Sequence, residues 1–281
     1  MEMTGKVAVI TGAGRGIGRA IALRCAREGM HVVLAGIGLE SLSETERDLQ
    51  ALGAQTLVVQ TDVSKLSDVE QLADQTFAAF DTVDLLVNNA GVAAPGSVLD
   101  STFDDWKWVI GVNFYGVLHG VKLFAPRLME QATASRIVNV SSVAGIVPSG
   151  ESYAVSKHAV LLLTETLYGE LATKAPHVRV SAFCPGWVAS EFYRGDRSRP
   201  DRFRGEATVV SDEHRANWRA AIEDGVSTDE AAGFLFDGMA HDKLYIGPQA
   251  FGPSNPDLAD LVRQRTDNVL NEQNPIIVTA D

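Results

Sequence analysis

The sequence predicts a single doubly wound α/β domain on a parallel sheet, and three observations carry that expectation. Short β-branched runs alternate with amphipathic stretches, the rhythm of βαβ units. The runs are apolar without alternation, as strands are when helices cover both faces of a sheet. The first run ends in a glycine-rich turn, Thr11-Gly12-Ala13-Gly14-Arg15-Gly16-Ile17-Gly18, that opens directly into a helix.

In order, the predicted strands are KVAVIT, HVVLA, TLVVQ, DLLVNN, RIVNV and VRVSAF, separated by predicted helices at 16–29, 39–52, 66–80, 101–130 and 152–174. Ser101 followed three residues on by Asp104 has the form of a capping box ahead of Trp106, Val109 and Val112. Trp106 and Trp108 lie two apart and cannot share a helix face, so one is expected in the core and the other at a surface or interface. Ala175-Pro176 closes the last of these helices. That helix, AVSKHAVLLLTETLYGELA, carries apolar residues on more than one face, which predicts a partner subunit over it.

From about 187 to 226 the pattern dissolves into EFYRGDRSRPDRFRGEA and its flanks, with Trp187, Phe192, Tyr193, Phe203 and Trp218 interspersed. A long irregular stretch in a compact domain is expected to be functional, here a mobile substrate lid. The domain is expected to span 1–247, lid included. A tail at 248–281 holds Pro248, Pro253, Pro256 and Pro275 and one helical stretch near 257–271.

Composition excludes several function classes. The chain has 281 residues, 46% of them hydrophobic, enough for one full core. Its 36 acidic and 24 basic residues give a formal charge of −12, with no basic stripe for a nucleic acid. The opening residues pass into an apolar run too short and glycine-rich for a signal segment. Nothing later approaches a membrane-spanning length, so a soluble cytoplasmic protein with no membrane partner is expected. Cys25 and Cys184 form neither a disulfide framework nor a zinc pattern. His31, His119, His158, His177, His214 and His241 show no ligand spacing, so no metal is expected, and His158 reads as a packing or surface residue.

The glycine turn sits where a Rossmann-like dinucleotide fold places a diphosphate. Glycines let phosphate oxygens approach main-chain N–H groups, and the helix N-terminus adds partial positive charge. After the second strand, where an acid would grip the adenosine ribose and repel a 2′-phosphate, the chain reads Ala35-Gly36-Ile37-Gly38, with no acid before Glu40. Arg15 could reach a 2′-phosphate, which favours NADP(H) over NAD(H); a solvated Arg15 would leave NAD(H) or dual use.

Tyr153 and Lys157 stand four apart on a predicted helix and share a face. A neighbouring ammonium and a cationic nicotinamide would lower the phenol from its usual value toward working pH. Alone, such a pair is common on helices. With the glycine turn, Asn88-Asn89-Ala90-Gly91, Asn113 and Ser141-Ser142, it resembles the classical short-chain dehydrogenase/reductase family in order and spacing, over residues 5 to about 190.

The resemblance implies seven parallel strands and a homodimer or homotetramer joined through the helices bearing Asn113 and Tyr153. It implies that Gly12, Gly14, Arg15, Gly16, Ile17 and Gly18 form the phosphate turn. Asp62 and Val63 would meet the adenine, and Asn89, Ala90 and Gly91 would run along the adenosine side. Pro185, Gly186, Val188 and Ser190 would hold the nicotinamide. In the implied mechanism Tyr153 exchanges a proton with the substrate oxygen and Ser142 bonds that oxygen. Lys157 holds the nicotinamide ribose and tunes the tyrosine, and Asn113 keeps a water in a relay.

Two departures stand out: the stretch between Ser142 and Tyr153 is short, which leaves Ser141 as a rival for the inward serine, and Ser190 replaces a more frequent threonine. The expected activity is interconversion of a secondary alcohol and a ketone on a hydrophobic substrate, with Trp187, Phe192 and Tyr193 as pocket candidates. The rivals are a silent cofactor-binding regulator or scaffold and an isomerase or dehydratase on the same scaffold.

Overall fold

The computed structural model describes residues 3–147, 151–205, 208, 211–247 and 258–273. The tail residues 248–257 and 274–281, with Pro248, Pro253, Pro256 and Pro275, lie outside the described residues, as do 148–150 between Ser142 and Tyr153.

Strands β1 (Val7–Thr11), β2 (His31–Gly36), β3 (Thr56–Gln60), β4 (Leu85–Asn88), β5 (Ser135–Val140), β6 (Val178–Phe183) and β9 (Tyr245–Ile246) form a seven-stranded sheet in the order β3-β2-β1-β4-β5-β6-β9. Every pairing is parallel, with Thr11 opposite Ala35, Asn88 opposite Asn139 and Val140 opposite Phe183. The strands' C-terminal ends therefore share one edge, and the order reverses between β1 and β4, where such sheets leave a ligand crevice.

Alternate strand residues feed two cores. Ala8, Ile10, Val32, Leu34, Val138 and Val140 pack with Ile21 and Cys25 of α1 (Gly16–Arg27) and Leu235 and Met239 of α8 (Thr228–Ala240). Val7, Val9, Val33, Leu86, Ile137 and Val180 pack with Leu72 of α3 (Leu66–Ala79), Phe124 and Leu128 of α5 (Gly116–Glu130) and Val160 of α6 (Ser152–Lys174). Both faces are dry, which is why the strand runs do not alternate. On the first face α2 (Leu39–Ala51) adds Leu42 and Leu49.

The helix predicted over 101–130 is continuous but not uniform: α4 (Phe103–Ile110) passes through a π-turn, Gly111–Tyr115, into α5. Its cap lies one residue later than Ser101. Thr102 Oγ1 accepts from Asp105 N at 3.1 Å while Asp105 Oδ2 accepts from Thr102 N at 3.0 Å, and Ser101 Oγ instead accepts from Trp106 Nε1 at 2.8 Å. That phase turns Trp108 inward, at 1% exposure, and leaves Trp106 at the margin. By length and composition Phe103–Glu130 could cross a membrane, contrary to the expectation that nothing would. Here Val117, Val121, Phe124 and Leu128 of this helix are spent on the sheet.

Of the 187–226 stretch, residues 206, 207, 209 and 210 lie outside the described residues, and the rest carries secondary structure that the sequence did not announce. It contains a short parallel pair, β7 (Val188–Ala189) with β8 (Val226–Ser227), 3₁₀ turns at Glu191–Ser198 and Asp201–Phe203, and α7 (Asp212–Glu223). Hydrophobic periodicity missed these elements because they lie over the core and carry mostly polar residues. The segment is tied down by Arg199, whose Nη1 donates to the fully buried Asp105 Oδ1 at 2.6 Å. The helical tail segment is present as α9 (Leu258–Leu270). On α6, Val155, Leu162 and Tyr168 are exposed although Val160, Leu161, Thr164 and Leu171 are buried.

Candidate active site

The turn after β1 is stitched to the turn after β4. Thr11 Oγ1 accepts from the main-chain N of Asn89 and Ala90 at 2.9 and 3.0 Å, and Asn89 Nδ2 donates to Thr11 O at 2.8 Å. Three glycines are required by this packing: a Cβ on Gly18 would lie 2.3 Å from Gly12 O, one on Gly14 2.5 Å from Ser41 Oγ, and one on Gly12 3.0 Å from Ala90 Cα. Gly16 differs. It holds φ at +54°, and a Cβ there would meet nothing nearer than Ser190 Cβ at 3.7 Å, so its side of the turn is open.

Helix α1 starts there with no side-chain cap and no acid in its first turn, leaving its N–H groups for an anion, while Ile17 packs against the core behind. The open turn, the uncapped helix and the facing Ser190 fit the diphosphate and nicotinamide half of a dinucleotide. Opposite, Pro185 O accepts from Val143 N at 3.0 Å, Gly186 is half-buried, and Val188 is buried in β7.

Arg15 does not point freely at the end of β2. Its Nη1 lies 3.3 Å from Glu191 Oε2, and Glu191 is also paired with Arg194 and Arg197. Hydrogen bonding by Arg197, with the charges of Arg197, Arg194 and Arg15, holds the Glu191 carboxyl below its ordinary value against slight desolvation. Asp62, just past β3, accepts at Oδ1 from Ser64 N and Ser64 Oγ and at Oδ2 from Arg202 Nη2. Burial pushes its carboxyl up, and the hydrogen bonds from Ser64 and Arg202 more than reverse that. Val63 is buried beneath Gly116, and its carbonyl meets His119 Nδ1 at 2.9 Å.

Tyr153, Ser142, Lys157 and Asn113 come together. The Ser142 side chain acts on the Tyr153 phenol, opposing its rise on burial, and Ser142 Oγ donates to Pro185 O at 3.4 Å. Ser141 Oγ donates instead to Lys157 O at 2.7 Å, with Ser141 fully buried between β5 and α6. Lys157 Nζ donates to Val140 O at 2.7 Å and lies 5.7 Å from the Tyr153 ring centroid and near Gly91, whose Cβ position would be 3.4 Å away.

Asn113, in the π-turn, spends its whole amide on the protein. Oδ1 accepts from Val92 N at 2.8 Å, and Nδ2 donates to Val92 O and Ser156 Oγ, each at 2.9 Å. Ser156 Oγ passes the chain on to Tyr153 O at 2.6 Å. Sequence reasoning missed Ser156; its place three residues beyond Tyr153 on the same helix was the available signal.

Burial dominates the protonation of the pair. It pushes the Tyr153 phenol up from 10.0 to about 12, only partly opposed by Ser142, and pulls Lys157 down from 10.5 to about 8. The lowered phenol expected from the ammonium is thus not a property of the protein alone: Lys157 is itself desolvated and directed at Val140 O. Of the aromatic candidates, Phe192 packs edge-on against Tyr153 at 5.6 Å between centroids, and Trp218 packs against Phe192 at 6.3 Å. Tyr193 is taken up between Arg194 and Arg219, and Trp187 is half exposed. His158 is exposed, with Nδ1 2.7 Å from Gly145 O. Among the described residues no group of three metal-ligating side chains assembles.

The arrangement is that of a nicotinamide-dependent dehydrogenase or reductase, and comparison agrees: the short chain dehydrogenase family model matches residues 6–201. The chain belongs to the short-chain dehydrogenase/reductase family. It is similar to a short-chain dehydrogenase/reductase from Burkholderia phymatum solved in complex with NAD, at 39% identity and a TM-score of 0.92 over 100% of both chains. It is also similar to an alcohol dehydrogenase from Thermococcus sibiricus complexed with 5-hydroxy-NADP, at 29% identity and a TM-score of 0.68, covering 84% of this chain and 90% of that one. A Streptomyces avermitilis protein, 1-deoxy-11-beta-hydroxypentalenate dehydrogenase, is 33% identical over 88% of this chain and 85% of its own.

The buried ammonium has a cost that a stability measurement can read. Because the folded Lys157 value lies below the unfolded one, the unfolded chain binds more protons between about pH 8 and 10.5, so this cost is full below pH 8 and fades as pH rises to 10.5. Lys157→Met is expected to stabilise the fold at pH 7 by about 1–3 kcal/mol in urea denaturation, with a gain that shrinks above pH 8. A gain independent of pH would contradict the buried-charge assignment.

Proposed function

We propose that the chain interconverts a secondary alcohol and a ketone, with Tyr153 exchanging the proton at the substrate oxygen. The observation that carries this is the convergence of the Tyr153 phenol, the Ser142 side chain that opposes its rise, and buried Lys157 with its Nζ 5.7 Å from the Tyr153 ring, while the Gly16 turn stays open for a cofactor. A nicotinamide bound there would supply or take the hydride at the substrate carbon. In reduction the Tyr153 phenol gives its proton to the developing alkoxide while Ser142 donates a second hydrogen bond to the same oxygen; in oxidation the phenolate takes the alcohol proton. Lys157 has N–H groups left beyond its bond to Val140 O, and these suit a ribose hydroxyl and a proton path. Since the Asn113 side chain is fully engaged, a water at this residue would be held by its main chain, where the π-turn departs from regular α-helical bonding.

Phe192 over the phenol, backed by Trp218, favours a hydrophobic substrate over a small polar one. Tyr153→Phe is expected to lower turnover of ketones and alcohols by about 10²–10⁴-fold, followed at the nicotinamide absorbance, while leaving cofactor binding nearly unchanged. Full activity in that variant would defeat the mechanism. Cofactor binding without turnover across the panel would favour a regulator or scaffold, and turnover without net change in the cofactor an isomerase or dehydratase.

For cofactor choice, the missing acid at Gly36–Gly38 supports acceptance of NADP(H), but Glu191 competes for Arg15. The preference for NADP(H) is therefore held in check by Glu191. Glu191→Gln is expected to raise the NADP/NAD ratio of kcat/KM by roughly twofold to fivefold, the worth of one exposed charged contact; an unmoved ratio would remove Arg15 from the 2′-phosphate role.

The same reading includes a homodimer or homotetramer formed through α4–α5 and α6, supported by exposed Tyr115, Val155, Leu162 and Tyr168. Leu162→Glu is expected to shift the protein toward monomer in light scattering. A wild-type monomer would contradict the assembly.

A further inference from the structure

We propose that Arg202 is a cofactor-binding residue that holds the adenine half of the nicotinamide cofactor from the lid side. The inference rests on the reading that Asp62 meets the adenine. Arg202 Nη2 donates to Asp62 Oδ2 at 2.9 Å and to Ser64 Oγ at 3.0 Å, so a lid residue reaches the end of β3 and touches the carboxylate assigned to the adenine. The other carboxylate oxygen is occupied by Ser64 N at 3.1 Å and Ser64 Oγ at 2.6 Å.

At its opposite end the 3₁₀ segment of the lid meets the phosphate turn through Glu191 and Arg15, and a Cβ on Gly195 would lie 3.3 Å from Ala93 O. Residues 191–202 therefore run along the crevice from the glycine turn, past the irregular segment following Gly91, to Asp62. The lid covers the cofactor cleft as well as the catalytic phenol.

Whether Arg202 clamps or blocks depends on how firmly it is held, and it is held firmly. Arg199, 4% exposed, is paired with Asp105, 0% exposed. Arg199 Nε donates to Phe203 O, and Arg204 Nε donates to Arg199 O at 3.0 Å, so the turn bearing Arg202 is built around a buried ion pair. Phe203 packs against the cluster of Val92, Ala94, Trp108 and Val109, and the Arg202 guanidinium carbon stands 4.8 Å from its ring centroid. A group fixed this way is preorganised and does not pay for ordering when a ligand arrives.

Asp62 Oδ2 keeps a second lone pair for an amino group while bonded to Arg202, and a partly exposed, planar guanidinium is suited to a heteroaromatic ring. The contact lies at the adenosine end, common to NAD(H) and NADP(H), so Arg202 strengthens both without choosing between them.

The test is a fluorescence titration of the full chain with NADH and NADPH, with ADP-ribose as competitor. Arg202→Ala is expected to weaken reduced cofactor and ADP-ribose by the same factor, about fivefold to twentyfold, the scale of one partly exposed charged hydrogen bond. The KM for cofactor rises by the same factor while the melting temperature stays near wild type, and Arg202→Lys recovers part of the loss. Should Arg202→Ala fold poorly, Arg202→Gln provides the same comparison.

Binding that is unchanged in the variant overturns the assignment, and tighter binding does so as well, because it would make Arg202 a gate that must leave. If the wild-type chain itself binds neither nicotinamide cofactor nor ADP-ribose, the cofactor reading of the site falls, and this proposal falls with it.

Discussion

The site depends on a charge that is expensive to bury. Lys157 is 3% exposed, and what keeps it there is its bond to Val140 O at the end of β5, returned by Ser141 through its own bond to Lys157 O. These reciprocal bonds fix α6 against the sheet at the position where Tyr153 and Ser142 must meet. Unpaired burial of an ammonium would be prohibitive, and the carbonyl at the strand end makes it tolerable. From that constraint follow the orientation of Ser141 and the lowered amine, while desolvation of Tyr153 itself raises the phenol.

A second layer of charge closes over the first. Three lid residues pair with the body of the domain: Glu191 meets Arg15 at the glycine turn, Arg199 meets Asp105 beneath the lid, and Arg202 meets Asp62 at the end of β3. The exposed pairs contribute little to stability, while the buried Arg199–Asp105 pair is costly to break. Their common effect is positional. A polar, arginine-rich segment with little apolar surface of its own acquires a defined path by pairing with the glycine turn, α4 and the end of β3.

The contrast between what could be read from the sequence and what could not follows the range of the interactions. Strands β1 to β6 were legible because burial on both faces leaves continuous apolar runs. The glycine turn was legible because steric demands at Gly12, Gly14 and Gly18 leave no other residue. The Tyr153–Lys157 pair was legible because four residues make one helix turn. The cap slipped by one residue because Ser101/Asp104 and Thr102/Asp105 satisfy the same pattern; the burial of Trp108 selects between them, and that is a tertiary fact.

Asn113 to Ser156, Asp105 to Arg199 and Asp62 to Arg202 join residues far apart in the chain, and no local pattern announces them. The Arg15–Glu191 pair is equally remote in sequence, so no local pattern placed a carboxylate beside the arginine expected to reach a 2′-phosphate.

The account turns on Tyr153 being a desolvated phenol, held above its ordinary value, that becomes a working acid–base group only when a positive nicotinamide lies beside it. The direct measurement is an ultraviolet titration of tyrosinate in wild type minus Tyr153→Phe, without and with saturating oxidised cofactor. The expected result is a phenol near 12 in the protein alone that drops well below 10 with the cofactor bound. A phenol that titrates at the same pH in both states would contradict it.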